Sequence, residues 1–583
     1  RLPAPRRSRA TAIPSPAEIA AAACAAPKSA PVPPGRRAAV MANAADAGRR
    51  PEASLGVVEL TIALQRIFDT PGDRIVFETG DLAHANEVLA ARRPGGTGAD
   101  FGAAQAAAAI SAGLGMAVAR DLRGAGNRIL CVIGGGALSS GVAYEAMSGA
   151  GLRNERLVVV LADDDAGGAA EVGSLSAYLA RLSSSSAYFR LRDVARQLAR
   201  RLPRKWERRA ARAEELTRTY WTGGTLFEEL GFHYVGPIDG HDFAHLLPVL
   251  RNVRDADAGP ILVHVVVERG VAGREVEAAG RAPARASVAE FARSLLVEAR
   301  GDPDVVAVLS AMPDGIGLDP FRREFPARCF DAGVAAQHAL AFAAGLATEG
   351  LKPFVLVGPA ALRSACGQLV DDVVRRGLPV RFAVAGTGDG DEAAFAQPGG
   401  LAGMVAMVPA DAAELRRMVA TQVACGDGPS LLCLPRMVAG DAGDMSAREA
   451  RLEVGRGRVL REGDRVALLS LGTTLGACLE AADMIAAGGL AATVADARFA
   501  MPLDVALVRR LARGHELLMV VEDARIGGFG AEVLAMLARE GLLDGGLPRV
   551  RSIALPGDFR ERDARAIAAA VLSATGRDLR ARG

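Results

Sequence analysis

The sequence is poor in cysteine pairs, histidine, aromatic residues and long apolar runs. Its seven cysteines, Cys24, Cys131, Cys329, Cys366, Cys425, Cys433 and Cys478, are scattered, and none forms a Cys-x-x-Cys pair. That argues against zinc and against a disulfide framework, and for reduced, mostly buried thiols. Histidine is scarce, with seven in 583 residues, and aromatics make up only 4 %. No run of about 18 uncharged apolar residues occurs, so no membrane span is expected. A net charge of +2 gives no global attraction to nucleic acid or to a membrane surface. What is present is apolar: half of the residues, enough for sizeable cores without disulfides. The length predicts roughly three to four domains. Alanine, glycine and arginine are abundant, as biased base composition would also produce.

Residues 1–50 read as unfolded. They are rich in Ala, Pro, Ser and Arg and poor in acids, the composition of an organelle transit peptide. A disordered tail without a role, or an untranslated stretch with Met41 as the start, gives the same composition. Val57–Phe68 places Val57, Leu60, Leu64 and Ile67 at helical spacing. DRIVFETGD (73–81) reads as a strand ending in a loop, and a small-residue helix is expected near Ile110–Arg120.

Ile129–Asp165 is the most informative stretch. An apolar run, Ile129–Ile133, leads into Gly134, Gly135 and Gly136, then a helical segment over Ala137–Ala150. A second apolar run, Leu157–Leu161, ends at Asp163, Asp164 and Asp165. This predicts a strand–turn–helix–strand unit. Open α/β sheets bind ligands at the carboxyl ends of such strands. Glycines there admit a phosphate to backbone N–H groups, and carboxylate oxygens suit Mg²⁺. An ordinary buried unit with a solvated acidic loop accounts for these residues equally well.

The remainder alternates in the same way. Residues 181–220 are basic but interleaved with acids, which favours a solvated helical arm over a nucleic-acid surface. GTLFEELGFHYVGPIDGHD (224–242) reads as helix, strand and a Gly/Pro/Asp turn carrying His241, and GPILVHVVVERG (259–270) as a buried strand. A linker is expected over 271–290. Strands are expected in DVVAVLSAM, PFVLVGPA, LPVRFAVAG and GMVAMVPA, with helices over Ala335–Ala347 and Ala361–Arg375. A third α/β segment begins near Glu453, with strands in DRVALLSLGTT, GLAATVADAR and HELLMVVEDA. The following GGFG turn is not GxGxxG and lacks the acidic residue a dinucleotide site uses.

Three consecutive α/β segments, the first with the glycine-turn unit, resemble thiamine-diphosphate enzymes of the transketolase type. Local sequences resemble one family more closely. SLGVVELTIAL (54–64), GLGMAVARDLRG (113–124), CVIGGGALSSGVAYEAM (131–147), GTLFEELGFHYVGPIDGHD (224–242), FPARCFDAGVAAQHALAFAAGLATEGLKPF (325–354), VGRGRVLREGDRVALLSLGTT (454–474) and VADARFAMPLD (494–504) are similar to 1-deoxy-D-xylulose-5-phosphate synthases, especially plastid forms. The resemblance covers about residues 54–555. It implies a three-domain transketolase-like α/β fold, each domain a mostly parallel sheet flanked by helices. The expected divisions are a transit-like 1–50, a diphosphate-binding domain at 51–275, a pyrimidine-binding domain at 285–445 and a transketolase C-terminal domain at 453–583. It further implies condensation of pyruvate with glyceraldehyde 3-phosphate to 1-deoxyxylulose 5-phosphate and CO₂ for isoprenoid precursors. The implied cofactors are thiamine diphosphate and Mg²⁺. A homodimer, a plastid stroma location and no nucleic-acid or membrane partner complete the expectation.

Residue by residue, the resemblance also marks departures. The family's metal-binding GDG turn is Gly134-Gly135-Gly136, so Gly135 stands for its aspartate, with Gly134, Gly136 and Ala137 left to approach the diphosphate. The second metal ligand, an Asn in the family, falls on Asp164. The glutamate that promotes the imino tautomer of the cofactor's aminopyrimidine falls on Ala336, and loss of such a group costs about 10²–10⁴ in rate. Three active-site histidines fall on Arg50, Asp81 and Gln105, none of which is a neutral base near pH 7. Pocket aromatics fall on Ala361 and Cys366, an arginine-bearing turn reads Ala385-Gly386-Thr387-Gly388, and a substrate-phosphate arginine is matched by Arg436. The expectation is a family member with little or no competent thiamine chemistry, either a pseudoenzyme kept for its fold or a decaying gene copy. The alternatives are a weakly active synthase using Asp164 for Mg²⁺ and a non-catalytic subunit that heterodimerises with an active paralogue.

Overall fold

Both units of this chain are built from runs of Val, Ile, Leu and Ala too uniformly apolar to leave either sheet face in water, and helices cover those faces. The computed structural model describes residues 57–78, 108–164, 226–256, 259–267, 282–310, 318–385, 403–435, 449–487, 489–523, 528–544, 548–555 and 561–575. The chain divides into two compact units, 1–280 and 281–583.

In the first unit the elements in chain order are α1 (Val58–Ile67), β1 (Arg74–Phe77), α2 (Ala108–Leu122), β2 (Ile129–Gly134), α3 (Gly141–Arg153), β3 (Leu157–Asp164), β4 (His233–Asp239), α4 (Phe243–Asp255) and β5 (Ile261–Val267). The strands form a parallel sheet in the order β1-β2-β3-β5-β4. Side chains alternate across it. Cys131, Ile133, Val159, Leu161 and Leu262 pack with α2 and α3 on one face. Leu130, Val132, Val158, Val160 and Val263 pack with α1 and α4 on the other. Burial on both faces is the usual condition of a parallel sheet.

Two expectations shift here. A 3₁₀ turn, Gly135–Ser139, precedes α3, so the helix starts at Gly141 and not at Ala137. The expected turn within 224–242 is instead strand as far as Asp239, with a bulge between Val235 and Ile238. Pro237 is tolerated there because β4 is an edge strand. The expected basic arm, 181–220, lies outside the described residues.

The second unit begins with α5 (Ala282–Arg300), which takes up the last nine residues of the stretch read as a linker, 282–290; residues 271–281 lie outside the described residues. Alanine favours helix, and Pro283 sits in the first turn, where proline's missing N–H costs nothing. Then come β6 (Val305–Ser310), β7 (Cys329–Asp331), α6 (Ala336–Thr348), β8 (Lys352–Val357), β9 (Arg381–Ala385), β10 (Val405–Met407), α7 (Ala412–Ala424) and β11 (Ser430–Leu434). The helix expected over 361–375 is broken into Pro359–Ser364, Cys366–Gln368 and a π-helical Leu369–Val374. Gly367 and the β-branched Val370, Val373 and Val374 weaken a continuous α-helix there. The chain continues through β12 (Arg458–Arg461), β13 (Val466–Ser470), α8 (Thr474–Ala487), β14 (Ala492–Asp496), β15 (Phe499–Met501), α9 (Val505–Gly514), β16 (Leu517–Asp523), α10 (Phe529–Arg539), β17 (Arg549–Leu555) and α11 (Glu561–Ala574).

These strands make two sheets, β15-β10-β11-β9-β8-β6-β7 and β12-β14-β13-β16-β17, parallel except for β15 and β12. One apolar cluster runs from Val308, Val355 and Phe382 of the first sheet to Ala467, Leu469 and Val520 of the second. At the edge, Phe499–Met501 leaves the second sheet's sequence and pairs antiparallel with Val405–Met407. An ion cluster built on two buried carboxylates, Glu414 and Asp496, pins this crossing. Arg498 donates two hydrogen bonds to Glu414 of α7, at 2.8 and 2.9 Å. Arg458 lies 3.1 Å from Glu414 and donates to Asp496 at 3.1 Å. Arg498 holds a left-handed backbone, φ 61°, and its N–H donates to Asp496. Downstream, the N–H groups of Phe529 and Gly530 donate to the Glu522 carboxylate. The α10 terminus that a pyrophosphate would need is therefore taken by the chain's own anion.

The thiols were expected to be mostly buried, and half of those described are. Among the described residues Cys131, Cys433 and Cys478 are buried, while Cys329, Cys366 and Cys425 are partly so, and all are free. Burial pushes the Cys131 and Cys478 thiols up to about 12, far from the thiolate state that reacts.

Two measurements test the crossing. Glu414→Gln takes from the half-buried Arg498 its bidentate carboxylate and leaves Arg458 with Asp496, and urea unfolding is expected to show a loss of roughly 1–3 kcal/mol. Burial raises the Asp496 carboxyl to about 6, against the opposing pull of Arg458 and with Glu414 reinforcing it. The folded state therefore holds this proton more tightly than the unfolded chain. Its contribution is full below about pH 4 and fades as pH rises through about 6. Between pH 5 and 7.5 the native protein should lose roughly 1–1.5 kcal/mol relative to Asp496→Asn; a pH-independent difference between the two would refute the assignment.

Candidate functional site

The parallel pairing of β2 with β3 sets Gly134 beside Ala162, so the glycine turn and the acidic end of β3 share the sheet's carboxyl edge. The structure thereby brings together Gly134, Gly135, Gly136 and Ala137 with the Asp163–Asp164 backbone. The strand runs further than its apolar run, to Asp164, which pairs with Val267. The position of the Asp164 side chain lies outside the description. So do Arg50, Asp81, Gln105, Arg436 and residues 386–388, leaving only Ala385 of that turn described, at the end of β9.

Several polar groups at this edge are paired. The Gly134 N–H donates to the carboxylate of Glu78 at 2.7 Å, just beyond β1. Glu78 itself is buried. The Ser139 hydroxyl donates to the Gly136 carbonyl at 2.7 Å, and the Ala137 carbonyl accepts from the Ser140 N–H, closing the turn. Ala137 is buried beneath it. On the neighbouring strands, His264 Nε2 lies 3.0 Å from Asp163 Oδ2 and His264 Nδ1 lies 2.7 Å from the Tyr234 hydroxyl. Asp163 was singled out as part of the acidic strand end, while its partners His264 and Tyr234, and Glu78, did not stand out in the sequence. A single histidine inside the apolar run ILVHVVV was the available signal. His241, beyond the end of β4, sits with Nδ1 3.3 Å from Glu59.

Gly135 is not a glycine by necessity. Its backbone is outside the left-handed region, and a Cβ built on it meets only Asp163 Oδ1, at 3.5 Å. The position has room for a side chain and offers no donor of its own.

In the second unit Ala336 is the first residue of α6, with its N–H donating to the Val334 carbonyl and its methyl 1 % exposed within the apolar cluster. The Gln337 amide donates to the Ser364 carbonyl at 3.3 Å. His338 is exposed with its ring 5.9 Å from that of Phe342, which meets Phe330 edge-on at 5.2 Å. Ala361 packs partly buried against the same cluster, and Cys366 is partly buried.

Three α/β segments in this order, with a glycine turn and acids on neighbouring strand ends, define a transketolase-type protein. Family models match the chain in three successive parts. Residues 33–95 and 98–267 match the family model described as 1-deoxy-D-xylulose-5-phosphate synthase, residues 286–440 the transketolase pyrimidine-binding domain, and residues 455–572 the transketolase C-terminal domain. The chain belongs to the 1-deoxy-D-xylulose-5-phosphate synthase-like transketolase family, whose domains are those of thiamine-diphosphate-dependent enzymes. Among solved structures it is similar to a chain titled a split-gene transketolase in an inactive beta4 tetramer, at 27 % identity over 50 % of this chain and 98 % of that one, with a TM-score of 0.44. It is also similar to transketolase from Campylobacter jejuni, at 15 % identity over 96 % of this chain and 99 % of that one, with a TM-score of 0.39.

The edge geometry separates two glycines. Gly135→Ala should change the unfolding free energy by no more than about 0.5 kcal/mol, as at an unobstructed surface site. Gly236 has φ +140° and a Cβ there would lie 2.5 Å from the His264 carbonyl oxygen. Gly236→Ala should therefore cost about 2–3 kcal/mol in the same denaturant titration.

Proposed function

We propose that this protein is a family member whose thiamine chemistry is impaired. The family reaction joins pyruvate to glyceraldehyde 3-phosphate, with loss of CO₂, to give 1-deoxyxylulose 5-phosphate for isoprenoid precursors. The observation that carries the reading is Ala336. By resemblance this position holds the glutamate that works on the aminopyrimidine, and here it is a methyl group buried in an apolar cluster. A methyl neither accepts nor donates a proton.

Gly135 supports the same reading, because it supplies no oxygen where the family places a Mg²⁺ ligand. Mg²⁺ demands near-octahedral oxygen coordination. The described side chains include no group of three His, Cys, Asp or Glu arranged to hold a metal. With a methyl group at 336 and no side chain at 135, the residues at these two positions do not fit the family's thiamine diphosphate and Mg²⁺. The proposal includes a plastid location and a dimer, either with itself or with an active paralogue in which this chain is the non-catalytic subunit. A weakly active synthase is the second reading. It is favoured by the buried Asp163 carboxylate and the Asp164 backbone at the end of β3, which leave acids beside the glycine turn.

Calorimetric titration of the purified protein with thiamine diphosphate and Mg²⁺ tests the proposal, followed by assay with both substrates. The expected result is no saturable binding at tens of micromolar and turnover at least about 10²-fold below ordinary enzyme rates of roughly 1–10³ s⁻¹. Restoring both groups, in Ala336→Glu with Gly135→Asp, should bring binding back. Tight binding and ordinary turnover by the unsubstituted protein would overturn the reading.

A further inference from the structure

At the amino edge of the first sheet two helices end side by side. α2 closes at Leu122 and α3 at Arg153, each just before a strand of the parallel pair β2 and β3, and the two helices pack in one apolar cluster. Their last carbonyls point the same way and make the place unfavourable to an anion. The chain nevertheless sets two carboxyl groups there. Asp121 lies on the last turn of α2 and Glu155 just before β3, and the two are hydrogen-bonded to each other.

The charged groups around them are unevenly shared. The Arg120 side chain, 1 % exposed, donates from Nε to Asp121 Oδ1 at 2.6 Å and from Nη1 to the Arg156 carbonyl at 2.8 Å. The Arg156 guanidinium reaches within 3.8 Å of the same Asp121 oxygen. Glu155 feels Arg120 and Arg153 only through space. Its Oε2 is buried and meets no donor among the described residues, and Arg120 Nη2 is buried and meets no acceptor. A buried carboxylate oxygen without a donor is costly.

Two ionised carboxylates cannot hydrogen-bond each other, because neither carries a hydrogen. One proton on Glu155 supplies that hydrogen and removes the second negative charge from the corner. Burial pushes the Glu155 carboxyl up, and the bond to Asp121 and its charge push it further, against the pull of Arg120 and Arg153. The hydrogen bond from Arg120 holds Asp121 below the usual range. The proton therefore sits on Glu155 and is donated to an ionised Asp121.

We propose that Asp121 and Glu155 share one proton and form a pH-sensitive clamp between the last turn of α2 and the start of β3. With the proton in place the corner is closed. As pH rises the proton passes to solvent, two carboxylates face each other at the negative ends of two helices, and the corner loosens. Glu155, raised in the folded state, contributes stability that is complete below its ordinary range and lost as pH rises through its folded value. Asp121 works the other way, losing its contribution as pH falls through its lowered value, so the clamp is tightest between the two. It lies at the opposite edge of the sheet from the glycine turn and depends on none of the cofactor chemistry.

Hydrogen–deuterium exchange of the full-length protein tests the clamp. The amides to follow are those of Arg123, Gly124 and Ala125, which donate to carbonyls of the last turn of α2, and of Glu155 and Leu157. Glu155→Gln offers Asp121 a donor at every pH. At pH 5 the unsubstituted protein and this variant should exchange alike at these amides. At pH 7.5 the unsubstituted protein should exchange about threefold or more faster, through local opening. Asp121→Asn removes the opposed charge and gives an amide that bonds Glu155 in either state. The ratio of the unsubstituted protein to Asp121→Asn should rise by the same factor between the two pH values, and it decides the matter should the Glu155→Gln protein fail to fold. A ratio to Glu155→Gln that is the same at both pH values would overturn the proposal. So would, if that variant does not fold, an unchanged ratio to Asp121→Asn.

Discussion

A carboxylate taken out of water at the end of a strand has to be met by a donor, and Asp163 is such a group. It is the next-to-last residue of an otherwise apolar strand in a sheet with both faces covered, where little solvent reaches to compensate it. His264 supplies the donor, Tyr234 satisfies the histidine, and the bulge in β4 makes room for the close approach of two backbones. Glu78 plays the corresponding part on the other side of β2, accepting from Gly134. The carboxyl edge of the first sheet is therefore defined by paired polar groups as well as by the apolar cores beneath it.

The second unit depends on a similar constraint with full charges. Glu414 is nearly inaccessible to solvent and is held by Arg498 and Arg458, with Asp496 completing the cluster. Arg498 contributes its side chain to α7 and its backbone to the crossing into β15, which explains why a non-glycine residue sits at positive φ there. The stretch VADARFAMPLD thus has a mechanical reading. Its aspartate and arginine tie one sheet to the helix of the other, and its Phe-Ala-Met adds an edge strand.

Against these well-made frames, the positions where the family resemblance locates chemistry are plain. Ala336 is core, Ala361 packs on core, and Gly135 faces a carboxylate with nothing between them. At Gly135 space for a side chain persists. A protein with ordered strand ends and no donors at those positions is what the proposed impairment describes.

Much of the fold was legible in the order of residues. Apolar runs such as VVAVL and LLMVV have only one stable home, a strand buried on both faces, and glycine turns between them announce parallel α/β units. In the stretch 271–290, read as a linker, the division between the two units does fall, but its last nine residues, 282–290, belong to a helix, because alanine-rich sequence turns helical where a surface exists for it to pack on. The length of β3 also escaped, since aspartates at the end of an apolar run are expected to leave the sheet. The identity of the site residues at Gly135, Ala336 and Asp164 came from sequence, through a motif. The partners of Asp163 could come only from tertiary structure. Tyr234 and His264 are separated from it by 71 and 101 positions, and only the β3-β5-β4 strand order makes them neighbours. Local sequence decides which segments become strands; the crossover order, paid in loop entropy and returned in burial, decides which side chains meet.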